Sequence, residues 1–173
     1  MGSDFSFMII RETSLSDLDQ IVSFLRPQYE NTYGHCDGLN EEVFRSDKFI
    51  EFLNDYIYEK LSNDESKIFI AVVDKQILGT IGYEFIDQEL FIWGFYVDHN
   101  KQSFGIGRHL WDYLNLIDNV MNAKSKKLHV QKVADNVIDF YKRHGYCIVG
   151  ERILTWTDFL DHEANIELWT MEN

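Results

Sequence analysis

Proline is almost missing from this chain of 173 residues: Pro27 stands alone. Cysteine is nearly as scarce, and Cys36 and Cys147 stand in no C-x-x-C or metal-ligand spacing. That pattern excludes a disulfide framework and leaves two plain thiols, so no metal site is expected. Long hydrophobic runs are absent as well. The stretch from Ile68 to Val73 is the longest clean one, about three times too short to cross a bilayer. The first ten residues carry no positively charged leader, so a cytoplasmic protein without a membrane partner is expected. Positive charge is also in short supply, with 16 Lys and Arg against 29 Asp and Glu. A net charge of −13 repels nucleic acid and anionic lipid and favours cationic partners.

What is present is the composition of a globular protein, with 45% apolar and 26% charged residues, enough for a sizeable core. One domain over residues 8–173 is expected, with residues 1–7 an N-terminal extension or expression remnant. The acidity is uneven. Residues 1–65 hold 14 Asp and Glu against 5 Lys and Arg, and the remainder holds 15 against 11.

Residues 8–12 read as a strand, followed by Ser14 to Asp17, which can cap a helix running towards Leu25. Between 40 and 61 apolar residues recur at helical spacing with a break near 45–48, which fits one or two helices. From Ser66 the pattern changes to β-branched and aromatic runs at 67–73, 77–85 and 90–97, joined by short polar turns as in an antiparallel meander. A loop with two glycines then opens a helix carrying Ile106, Leu110, Leu114, Ile117 and Met121 on one face. A strand at 128–133, a helix at 136–144 stopped by Gly145, and strands at 146–154 and 166–171 complete the chain. This alternation predicts an α/β protein with a mixed sheet covered by helices.

Chemistry concentrates in two stretches. In the first, Gln102-Ser103-Phe104-Gly105-Ile106-Gly107-Arg108, a strand gives way through glycines to a helix start. Unpaired backbone amides and the positive helix end suit a pyrophosphate there, although glycines in a loop also suit a tight turn alone. In the second, Asn136 to Tyr146, a short amphipathic helix carries Tyr141 and ends at Gly145.

In this order and at this separation, the two stretches resemble the GNAT superfamily of acetyl-CoA-dependent N-acetyltransferases. Gln102 to Gly107 match its Q/R-x-x-G-x-G/A loop in full. Of its N-x-x-A-x-x-x-Y-x-x-x-G-F segment the back end is matched, with Tyr141 four before Gly145 and Tyr146 in place of Phe. At the front end Ala134 stands where the family has Asn and Val137 at the Ala position, Asn136 being two residues out of register.

The resemblance implies a mixed, mostly antiparallel sheet of about seven strands flanked by about four helices. It further implies acetyl-CoA as cosubstrate, with no metal. The backbone from Gln102 through Ser103, Phe104, Gly105 and Ile106 to Gly107, with Arg108 beyond, would hold the pyrophosphate. Phe95, Tyr96 and Val97 would pair with the pantetheine arm, with an amide at or near Phe95 facing the thioester oxygen. Asn136 would reach the pantetheine, and Tyr141 would protonate the leaving thiolate. Glu84 and Glu89 are the nearest carboxylates for the base, Glu84 being preferred. Tyr29, Glu30, Tyr33 and His35 fall in the segment that builds the acceptor wall, where carboxylates beside aromatic faces suit an ammonium group. The expected reaction is direct acetyl transfer to a primary amine, a small cationic one, in a ternary complex. A protein or peptide amine as acceptor, or a CoA-binding regulatory module without turnover, are the alternatives, and a homodimer is compatible with either.

Overall fold

Strand-forming runs separated by two-residue polar turns pair with their neighbours along the chain, and three strands of a seven-stranded sheet, at 66–73, 76–86 and 89–97, are joined in that way. The computed structural model describes residues 7–102 and 104–173; Ser103, one of the loop positions named above, lies outside the described residues. In chain order the elements are β1 (Ile9–Glu12), α1 (Leu18–Tyr33), α2 (Glu41–Arg45), α3 (Asp47–Ser62), β2 (Ser66–Val73), β3 (Gln76–Ile86) and β4 (Glu89–Val97). They continue with α4 (Ile106–Asn115), α5 (Asp118–Met121), β5 (Lys126–Gln131), α6 (Asp135–Arg143), β6 (Cys147–Trp156) and β7 (Ala164–Glu172). Strand order in the sheet is β1-β2-β3-β4-β5-β7-β6. Every neighbouring pair is antiparallel except β4 and β5, which run parallel because the chain crosses over through α4 and α5.

Six helices form among the described residues where about four were expected. Two differences account for this. The break near residue 46 is real, since the Ser46 hydroxyl accepts from the Phe49 amide and starts a fresh helix. The predicted helix from Ile106 to Met121 divides at Leu116 and Ile117, which leaves Met121 exposed. Asn115 ends α4 by donating to the Trp111 carbonyl while accepting from Lys126, a local alternative to helix continuation.

The first helix does not stop short of Pro27 but runs through it to Tyr33. A proline inside a helix removes one backbone bond. Burial of Ile21, Val22, Leu25 and Gln28 on the inner face, and docking of Tyr29 and Tyr33 beyond it, carry the helix past that loss.

Apolar residues pack on both faces of the sheet. On one face α4 and α6 cover Phe69, Ile81, Leu90, Ile92 and Leu128; on the other α1 to α3 cover Ile68, Ile70, Ile166 and Leu168.

At the entrance to α1, Asp17 accepts two bonds from Arg11, at 2.9 and 2.7 Å, and one from the Ser14 amide at 2.9 Å. The Arg11 guanidinium holds this carboxyl below its ordinary range against the opposing effect of burial. Asp17→Asn is expected to cost about 2 kcal/mol at neutral pH by urea unfolding. Because the folded pKa is depressed, that contribution is present above the unfolded value of about 3.9 and fades as pH falls through the folded one. The stability gap between variant and wild type should therefore close in acid.

Candidate active site

The site begins where β4 and β5 cease to pair. Leu90, Phe91 and Ile92 stand opposite Lys126, Lys127 and Leu128, and beyond Ile92 no ladder joins the two strands among the described residues. Main-chain groups of β4 on that side are left for another partner.

On its other side β4 is bulged. Gly82 on β3 faces Trp93 while Thr80 faces Tyr96, so two steps on β3 answer three on β4. Gly94 takes φ +60°, a left-handed value that favours glycine, and its carbonyl accepts from the buried Thr80 hydroxyl at 2.7 Å. The extra residue reverses the alternation of the strand. Leu90 and Ile92 pack towards α4 and α6, and after the bulge so do Phe95 and Val97, while Trp93 and Tyr96 turn to the α1 and α3 face. Among the described residues Gly94 and Phe95 have no register partner on β3.

Beyond β4 the chain enters α4 at Ile106. Gly105 caps the helix with φ +82°, again the left-handed region. The first-turn amides of a ten-residue helix have no intrahelical acceptor and carry the positive end of its dipole. Gly107 lies close against the strand, since a Cβ there would sit 3.3 Å from Val97 and 3.5 Å from Phe95. Gly107 thus lets the helix start pack closely on β4, and the unpaired first-turn amides beside it fit the pyrophosphate of a CoA-type group.

Tyr141 enters from α6. Its ring packs on Trp111 of α4 at 5.6 Å, and the residue is only 6% exposed. Burial, reinforced by Tyr146 and Tyr33, pushes its hydroxyl pKa up, so it keeps its proton at neutral pH.

On the opposite face Tyr29 and Tyr33 of α1 meet Tyr96 of β4. The Tyr29 and Tyr96 rings are 5.3 Å apart, and the Tyr33 and Tyr96 hydroxyls 3.3 Å. Trp156 of β6 closes the group at 4.9 Å from Tyr33. Gln131, at the end of β5, donates to the Thr32 carbonyl at 3.2 Å and so ties the end of α1 to the far side of the seam.

Other expected residues stand apart. Glu30 is engaged by Arg26 and Arg45 at 3.3 and 3.0 Å, and His35 is exposed. Asn136 is exposed in the first turn of α6. Glu84 is committed to Lys60 at 2.6 Å and to Asn63 at 3.2 Å, with both charged side chains largely buried, and Glu89 pairs with Lys127. Thr80, Gly94 and Gln131 escaped sequence reasoning. For Gly94 a signal existed, because an isolated glycine inside a strand pattern suggests a bulge.

A sequence profile of the Acetyltransferase (GNAT) family matches residues 18–146, about three quarters of the chain. The chain belongs to the GNAT acetyltransferase family. Solved GNAT-type structures share its fold at low sequence identity. The PaiA N-acetyltransferase of Thermoplasma acidophilum in complex with coenzyme A is 20% identical with a TM-score of 0.67, covering 96% of this chain and 98% of that one. A probable acetyltransferase of Staphylococcus epidermidis is 14% identical with a TM-score of 0.71 and the same coverage of both chains. The ribosomal-protein-S18-alanine N-acetyltransferase of Escherichia coli is 15% identical with a TM-score of 0.65, covering 96% and 92%. No match is found among curated proteins. For this GNAT chain, among the described residues, no His, Cys, Asp or Glu group could hold a metal, and no helix is long and apolar enough to cross a membrane.

Proposed function

We propose that the chain is an N-acetyltransferase that moves acetyl from acetyl-CoA to a primary amine, with a small cationic amine as acceptor. The observation that carries this reading is the bulged strand β4, which runs past a seam without ladder bonds into the glycine-capped start of α4, with the buried Tyr141 beside it. When bound, acetyl-CoA supplies an acetyl thioester. Amides of the 102–107 loop hold its pyrophosphate, and the main chain of Phe95, Tyr96 and Val97 offers bonds to the pantetheine. The amide at Phe95 stabilises negative charge as the amine attacks the carbonyl carbon. Tyr141 then gives its proton to the departing sulfur as the carbon–sulfur bond breaks. The proton released by the amine goes to bulk solvent; Glu84, the carboxylate expected to take it, is held by Lys60 and Asn63.

Charge supports a cationic acceptor. The Glu30 and Glu41 carboxylates are compensated by arginines, but Glu51, Asp55, Glu59 and Asp158 gather beside Phe52 and Tyr56 around a groove of about 380 Å³. Among the described residues Lys48 is the one basic residue lining it, and that side chain pairs with Asp161.

The test is to mix protein and acetyl-CoA with polyamines, a monoamine and a peptide with a free amino terminus, and to follow thiol release. Turnover is expected with polyamines, with kcat/KM falling steeply with salt as the Debye length shrinks from about 10 Å at 0.1 M to about 3 Å at 1 M. Equal salt slopes for polyamine and monoamine would remove the electrostatic argument. Absence of thiol release with every amine would leave a CoA-binding module.

A further inference from the structure

Tyr146 carries an oxygen that the fold does not use. The residue is 2% exposed, and its hydroxyl is buried without a hydrogen-bond partner among the described residues. A phenylalanine would fill the same space without stranding a polar atom, so a buried hydroxyl of this kind calls for an explanation. Its surroundings supply one. The Tyr146 ring lies 5.9 Å from that of Tyr141, both pack on Trp111 at 5.8 and 5.6 Å, and the Tyr146 amide donates to the Tyr141 carbonyl at 3.1 Å. Gly145, at φ +88°, makes the turn that folds Tyr146 back under α6.

We propose that Tyr146 is a positioning residue for Tyr141: its hydroxyl supplies a hydrogen bond, directly or through one water, to the Tyr141 oxygen as that oxygen loses its proton. This rests on the reading of Tyr141 as the acid that protonates the departing thiolate. The step balances: the Tyr141 O–H bond breaks, its proton goes to sulfur, and the phenolate oxygen accepts from the neutral Tyr146 O–H. A phenolate in this core is costly because burial disfavours charge, and the Tyr33 hydroxyl, across the sheet, is engaged with Tyr96. A neutral donor held in reserve lowers that cost only when the charge appears.

The experiment is a double-mutant cycle on the full chain, using single-turnover transfer from acetyl-CoA to the best amine of the panel. Tyr146→Phe is expected to lower the rate about tenfold, to leave acetyl-CoA affinity within a factor of about two, and to melt at or above the wild-type temperature. Activity and stability then move in opposite directions, which a structural role does not produce. In a Tyr141→Phe background the same substitution should cost nothing further. A Tyr146→Phe rate within about twofold of wild type, an equal loss in both backgrounds, or a marked drop in melting temperature would each overturn the proposal. If Tyr141→Phe itself leaves the rate unchanged, the underlying reading has failed and this one falls with it; if only Tyr146→Phe is silent, the assignment of Tyr141 survives.

Discussion

Tyr141→Phe should lower single-turnover acetyl transfer by roughly a hundred- to ten-thousandfold, the range for losing one positioned acid, while leaving fold and cofactor affinity in place. The ring keeps its packing on Trp111 and only the oxygen is removed. A thiolate leaving without a proton is a poor leaving group, and the cost of an unprotonated sulfur is highest beside buried, poorly solvated groups. Single-turnover measurement matters because slow product release would hide the loss in steady-state rates. A rate within about twofold of wild type would remove Tyr141 from the mechanism.

Gly105→Glu should weaken acetyl-CoA binding by about a hundredfold or more, close to 2.7 kcal/mol, read by calorimetry. Two effects add. At φ +82° any side chain strains the backbone, and the carboxylate brings like charge to the helix end that would face the phosphates. Gly105→Ala separates them, since it carries the backbone strain without the charge and should lose far less. Unchanged affinity in a folded Gly105→Glu protein would place the pyrophosphate elsewhere.

Much of this was legible in the chain itself. The strands at 67–73, 77–85 and 90–97 announced themselves because adjacent antiparallel pairing depends on local alternation and short turns, here Asp74-Lys75 and Asp87-Gln88 with positive φ. The Gln102 to Gly107 loop was legible for the same kind of reason: a glycine-capped helix start is a local device. The limits of α1 and α4 were less legible. Pro27 signals a stop, yet Tyr29 and Tyr33 gain contacts with Tyr96 and Trp156, residues about 65 to 125 positions away, and no local propensity encodes that gain.

By itself the sequence determined the class, the strand and helix alternation, the loop that suits a phosphate and the tyrosine on α6, because each rests on spacing within about fifteen residues. Only the tertiary structure decided which charges are free. It tied Glu84 to Lys60 and Glu30 to two arginines, stopped the β4 and β5 ladder at Ile92, and left the Tyr146 hydroxyl unpartnered among the described residues. The reason is physical: a side chain's reactivity depends on burial and on the groups within a few ångströms, and those groups come from elements far apart in the chain.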